Sequence, residues 1–292
     1  MPYKYFLSVC LCIKNEAKYM EEFLQHHINQ GVDHFYIISN NSDDNIEEVI
    51  NNSLYKSNVT LIIDNRDMGI LTNDSSALGH QQLIVENLYN LIKEETEWAI
   101  LVDADEFVYG KNGYNIKSYL SSIDENIGCV YIIWNIINPY IDDNKKVTES
   151  FSIKNNVKRL NYDVIHNCSH NIIMTHKFGK SVFKTKLLYH HINLWIHLVK
   201  IENGITINNY GNIKGDCITN YNDVDEFVEF SEKKFSEVNI TLNHYAIRNQ
   251  EDYIKKTKQL DCVPSKRNFI LALLEMLELD DSFFITDETI LN

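Results

Sequence analysis

Four short runs rich in β-branched and aromatic residues, Phe6 to Ile13, His34 to Ser39, Val59 to Ile63 and Trp98 to Val102, alternate with helical patterns along the first part of this chain. Between the first two runs, Tyr19 or Met20, Phe23, Leu24, His27 and Ile28 recur at three-to-four spacing, which predicts a helix from Ala17 to Gln30 that Gly31 stops. "NNSDDN" reads as a polar turn before a helix over Ile46 to Asn52, and a longer helix from Ser75 to Glu95 precedes the fourth run. Strands alternating with helices imply an α/β fold with a mostly parallel central sheet covered by helices on both faces. Ligands of such sheets bind in the crevice at the carboxyl ends of the strands. That rule places three polar clusters on one edge: Lys14-Asn15-Glu16, Asn40 to Asp44, and Asp103 to Glu106.

After Val130 to Ile133 the alternation fades into Asn-rich segments with short strands, including "KSVFKTKLLYHHI". From Asp223 the pattern turns helical again, with Asp223 to Phe235, Glu251 to Gln259 and Lys266 to Leu279 as the expected helices. No Pro- or Gly-rich linker and no internal repeat divides the chain. The expectation is one catalytic domain over 1–248 with a helical C-terminal extension over 249–292 packed on it.

A net charge of −14 argues against nonspecific nucleic-acid binding, which needs clustered Lys and Arg; Lys255, Lys256 and Lys258 suit at most one small anionic ligand. Six scattered cysteines without an export signal are expected to stay reduced, and Cys10 and Cys12 face one side of the first strand as small buried apolar residues. The N-terminal apolar run lacks a small-residue cleavage site and reads as a strand. No run approaches the roughly 20 apolar residues of a membrane helix. A cytoplasmic location is therefore expected, with peripheral membrane contact left open.

The stretch "WAILVDADEF" carries the chemistry. Residues i and i+2 of an extended segment project to the same side, so Asp103 and Asp105 converge just beyond the fourth strand. Two carboxylates held together need a counter-charge, and a divalent metal supplies one. Hard cations such as Mn²⁺ and Mg²⁺ prefer oxygen ligands and complete their shell with water and substrate phosphates. The expected ligand is a metal diphosphate; a merely solvated strand end is the alternative.

With these residues in view, four segments in order resemble glycosyltransferase family 92. They are "CLCIKNEAKYMEEFLQHHINQGVDHFYIISNNSDDN", "WAILVDADEF", "GKSVFK" and "NHYAIRNQEDYIKKTKQ", and together they span roughly residues 8 to 259. The resemblance implies a GT-A-type fold, a nucleotide-sugar donor, usually a UDP-sugar, and Mn²⁺ or Mg²⁺ at Asp103 and Asp105. It also implies a hexosyltransferase acting with inversion on a glycan, glycolipid or glycoprotein hydroxyl. The chain departs from the family pattern at Arg248-Asn249, where Lys-Ser is expected, and at Lys184-Thr185, where Arg-Pro is. Both changes keep positive charge, but Lys and Arg differ in phosphate geometry.

Within that resemblance, Asp105 is the direct metal ligand, Asp103 reaches the metal through water or the donor ribose, and Glu106 turns away into a supporting hydrogen bond. His244 is the third metal ligand. Lys14, Asn15 and Glu16 suit the uracil or ribose, although Asn15 also reads as a helix cap; Asp43 and Asp44 suit the base, although "NSDDN" also caps a helix. Tyr245, Arg248 and Lys180 are candidate diphosphate contacts. His190, His191 and His197 are competing ligands or acceptor contacts, or simply satisfied histidines on a strand face. Inversion requires one general base at the acceptor hydroxyl, and spacing leaves Asp142, Asp143, Asp163 and Asp216 open for it. Trp134, Tyr140 and Trp195 are acceptor platforms or core. A phosphatase would need the first Asp as nucleophile near the start of the fold, whereas here the motif follows the fourth strand. A noncatalytic sugar-nucleotide or glycan-binding protein retaining the fold is the remaining alternative.

Overall fold

The computed structural model describes residues 2–66, 76–137, 158–188, 197–210, 213–214, 230–248, 252–254, 257–258 and 267–286. Its first part follows the sequence pattern closely. β1 (Tyr5–Ile13), α1 (Ala17–Asn29), β2 (His34–Ser39), α2 (Ile46–Asn52), β3 (Val59–Ile63), α3 (Ser76–Glu95) and β4 (Thr96–Leu101) come in the expected order. β2 and β4 flank β1, and β3 joins β2, all in parallel register. Alternation within each strand sends side chains to opposite faces. Leu7, Val9, Leu11, Phe35, Ile37, Trp98 and Ile100 pack with Met20, Phe23 and Leu24 of α1. Cys10, Tyr36, Ile38, Ala99 and Leu101 pack with Leu83, Ile84, Leu88 and Ile92 of α3, with Cys12 half-buried against that layer. Gly31, with φ of +88°, supplies the left-handed residue that ends α1.

Beyond β4 come β5 (Glu106–Gly110), α4 (Ile116–Ser122), β6 (Ile127–Ile136), β7 (Lys158–Leu160), α5 (His170–Thr175), β8 (Gly179–Lys184), β9 (Ile205–Asn208), β10 (Ile213–Lys214), α6 (Glu232–Glu237), β11 (Ile240–His244), α7 (Arg267–Leu277) and β12 (Phe284–Thr286). The main sheet runs β10-β9-β6-β8-β4-β1-β2-β3, and β11 joins both β5 and β6. β8 is antiparallel to β4 and to β6, and β11 is antiparallel to β5 but parallel to β6. The expected α/β architecture is present, but its sheet is mixed rather than mostly parallel. The helix-strand alternation that forces parallel pairing ends at β4, and the later strands reach the sheet by other routes.

The late helices differ in extent from expectation. The segment foreseen as helical from Asp223 shows α6 only from Glu232, where the Ser231 side chain accepts from the Lys234 backbone N–H at 3.2 Å; residues 215–229 lie outside the described set. α7 packs on α5, with Ser169 and Asn171 both donating to Glu275. The C-terminal part also holds a strand, since β12 pairs antiparallel with β7.

Candidate active site

The acidic motif sits where the sheet becomes mixed. The Val102 backbone N–H still donates to the Cys10 carbonyl at 3.1 Å, so the chain leaves the sheet only at Asp103. It turns at once, with Glu106 N–H donating to the Asp103 carbonyl at 3.0 Å, and returns as β5. β11 then clamps the turn from the other side: the Tyr245 N–H donates to the Asp105 carbonyl at 2.8 Å. In the register, His244 stands opposite both Glu106 and Ile136. Residues far apart in the sequence are thus held by backbone bonds rather than by side chains alone.

Three charges compensate one another behind Asp103. Lys180, wholly buried on β8, donates to Asp103 Oδ2 at 2.9 Å and lies 3.3 Å from Glu106 Oε2. Glu106, also wholly buried, accepts the Asp103 backbone N–H through Oε2 at 2.7 Å, the supporting role expected of it. Burial disfavours the Lys180 ammonium, and the two carboxylates more than reverse that, raising its pKa. Burial likewise pushes Glu106 up to about 7, partly opposed by Lys180, and its Oε1 has no hydrogen-bond partner. Asp103 remains half exposed; burial raises its pKa and Lys180 more than offsets this, leaving it lowered. Lys180 therefore stands behind Asp103, out of reach of a donor. A Cβ at the preceding Gly179 would fall 2.1 Å from the Ile132 carbonyl oxygen, so only glycine lets β8 approach β6 closely enough to seat this lysine.

Asp105 faces His244, with Oδ2 and Nε2 3.6 Å apart. That separation exceeds a hydrogen bond. It suits two ligands of one cation, since metal–oxygen and metal–nitrogen bonds are about 2.0–2.2 Å long. The imidazole lies near-parallel to Phe269, 5.6 Å away, and tilted against Trp134 at 4.5 Å, and its Nδ1 is buried without a partner. Among the described residues no group of three His, Cys, Asp or Glu side chains stands ready to hold a metal ion. Asp105 and His244 fit a divalent cation as a pair, with the rest of its shell left to phosphate and water, whereas Asp103 is engaged by Lys180.

The other candidates fall into distinct places. Lys14 is exposed. Asn15, at φ of 59°, accepts the Asp43 backbone N–H through Oδ1 at 2.7 Å, while Asp44 accepts the Ala17 N–H at 2.8 Å. The turns after β1 and β2 are thus braced against each other, and Asp44 caps α1 rather than the α2 that follows it. Neither Asn15 nor Asp44 caps its own helix: the N-caps of α1 and α2 are Glu16 and Asn45, without side-chain cap bonds. Glu16 is paired with Arg248 by contacts of 2.8 and 3.3 Å, and burial outweighs that pairing to raise its pKa. Arg248 also donates to Asp252 at 2.9 Å and lies 3.8 Å over the Tyr19 ring, with only 6% of its side chain exposed.

Tyr245 is turned into the core, its hydroxyl 3.2 Å from that of Tyr109, so the diphosphate contact foreseen for it has no opening. Asp163 accepts the Glu232 N–H at 3.0 Å beside the Arg159–Glu232 ion pair, a turn-fixing role. His197 Nδ1 lies 3.0 Å from the Gly179 carbonyl oxygen; burial, then Lys180, pushes its pKa down to about 3. Trp134 is buried among Phe178, His197, His244 and Phe269. Asp142, Asp143, Asp216, Tyr140, His190, His191 and Trp195 lie outside the described residues. Sequence reasoning missed Asp252 and Tyr19 as the surroundings of Arg248. The i,i+4 spacing of Arg248 and Asp252 was the available signal.

Comparison with known proteins shows the family. A glycosyltransferase family 92 protein of Oryza sativa subsp. japonica is 29% identical over 127 residues, covering 42% of this chain and 20% of that protein. One of Arabidopsis thaliana is 26% identical over 138 residues, covering 46% and 22%. The chain thus spans about a fifth of the length of the curated relatives it matches. Among solved structures, S. aureus TarS 1-349 covers 95% of this chain and 72% of its own at 14% identity and a TM-score of 0.41. Glucosyl-3-phosphoglycerate synthase from Mycobacterium tuberculosis, in complex with Mn²⁺, UDP-glucose and phosphoglyceric acid, covers 63% and 58% at 13% identity and a TM-score of 0.33. The family model described as glycosyltransferase family 92 matches residues 5–258, most of the chain. The chain belongs to glycosyltransferase family 92.

Proposed function

We propose that this domain transfers a sugar from a nucleotide-sugar, a UDP-sugar, to an acceptor hydroxyl on a glycan, glycolipid or glycoprotein, with inversion and with Mn²⁺ or Mg²⁺. The observation that carries the reading is the approach of Asp105 to His244 at the carboxyl end of β4 in a chain of this family. Asp105 and His244 would hold the cation, whose charge would stabilise the departing nucleoside diphosphate. Asp103, oriented by Lys180, offers its other oxygen toward the donor. The braced turns after β1 and β2 form the floor for the nucleoside, and the buried Arg248 ties the segment after β11 to that floor. Asp163 is held in its turn, so the base that accepts the hydroxyl proton is sought among Asp142, Asp143 and Asp216.

UDP release from a panel of UDP-sugars in the presence of Mn²⁺ tests the reading, alongside Asp105→Asn. Release is expected with at least one donor and to fall about 100-fold or more in the variant. Failure of every donor, with glycan binding undiminished in Asp105→Asn, would leave a noncatalytic binding protein instead.

A further inference from the structure

The seat of Lys180 divides the labour between the two aspartates. Its ammonium lies 2.9 Å from Asp103 Oδ2 and 3.3 Å from Glu106 Oε2, with no exposure to solvent, so it is bound by the protein on the side away from the crevice. Glu106 in turn grips the Asp103 backbone N–H, fixing both the main chain and the side chain of that residue. One oxygen and the charge of Asp103 are thereby committed to an internal partner. Asp105 is the carboxylate of the motif that faces His244.

We propose that Lys180 is a positioning residue that makes divalent-metal binding depend on the donor, by withholding Asp103 from the metal until a nucleoside diphosphate brings its own charge and oxygens. The inference rests on the reading of Asp105 and His244 as the metal pair. Two protein ligands leave most of the shell of Mn²⁺ or Mg²⁺ to water and phosphate, and a buried cation close by weakens the hold on a second one. Metal alone is therefore held poorly and metal with diphosphate well. By linkage the metal tightens the diphosphate by the same factor. Without the ammonium, Asp103 is free to turn toward the cation, and the metal no longer needs the donor.

The experiment follows free Mn²⁺ by its electron paramagnetic resonance signal during titration of the protein, with and without UDP. In the unaltered chain, UDP is expected to tighten Mn²⁺ binding about tenfold or more. In Lys180→Met, Mn²⁺ alone should bind about fivefold tighter or more, and the gain from UDP should shrink to about twofold. A lysine that merely supports the fold would give the opposite result, with both affinities falling together. Circular dichroism reports whether the variant folds. If it does not, Lys180→Met/Glu106→Gln, which leaves no lone buried charge, carries the same expectation of lost coupling. Coupling equal to that of the unaltered chain in a folded variant overturns the role of Lys180 and leaves the proposed function standing. No Mn²⁺ uptake by the unaltered chain, with or without UDP, overturns the metal reading and this inference with it.

Discussion

Arg248 is the most heavily committed cation near the crevice. It meets Glu16 with two nitrogens, Asp252 with a third, and the Tyr19 ring with its flat face. Burial works against its charge, and the carboxylates around it, Glu16 first, more than restore it, raising its pKa. Removing one partner of such a buried network leaves the others uncompensated, at a cost of about 3–5 kcal/mol. Arg248→Met should lower the urea midpoint accordingly. Arg248→Lys should recover only part of the loss, because an ammonium lacks the planar fork and the stacking face. A full recovery in Lys would show that charge alone matters there. His244→Ala offers a complementary measurement: Mn²⁺ binding in the presence of UDP should weaken about 10-fold or more, while the fold, held by β11 backbone pairing, survives.

The elements separate into those that local pattern determines and those that depend on distant partners. β1 to β4 and the helices between them were legible because each carries its own period, two for the strands and 3.6 for the helices, and each buries the face that period defines. The acidic motif was legible for the same reason, as a sharp end to an apolar run. β5 and β11 were not assigned from sequence. Each is five residues long, and their pairing joins segments separated by more than a hundred positions, which no local pattern encodes. The role of Lys180 was out of reach as well: "GKSVFK" shows a lysine on a strand, but which face it takes depends on how β8 lies between β4 and β6. Gly179 makes that placement testable. Gly179→Ala puts a methyl 2.1 Å from the Ile132 carbonyl oxygen, and the expected loss is about 1–3 kcal/mol of stability by chemical denaturation. At the other end, Leu273 on α7 is wholly buried, and Leu273→Ala should cost about 2–5 kcal/mol if α7 unfolds with the sheet rather than separately.

For the molecule as a whole, burial of uncharged imidazoles sets the acid limit. Burial pushes His26 and His176 down to about 4, and His27 well below its ordinary value. The unfolded chain takes up protons at these sites near pH 6.5 while the folded chain does not, so stability is lost as pH falls from about 6.5 toward 4. Each histidine should account for about 1–2 kcal/mol between pH 7 and 5. Urea midpoints across that range should drop, and His176→Gln should flatten the slope; a midpoint that rises on acidification would contradict the sign. Among the described residues no helix is long and apolar enough to cross a membrane.

The clamp of Tyr245 N–H on the Asp105 carbonyl has a consequence for synthesis. A chain emerging from the ribosome completes the first aspartates of its site early, yet their histidine partner arrives only some 139 residues after Asp105. Until β11 threads between β5 and β6, the motif lies on an unclosed turn, with no paired strand to reward partial folding. Closure of the motif is thus gained late, near the end of the matched family region, and a chain arrested before residue 244 would carry the motif in its sequence without the strand that closes it.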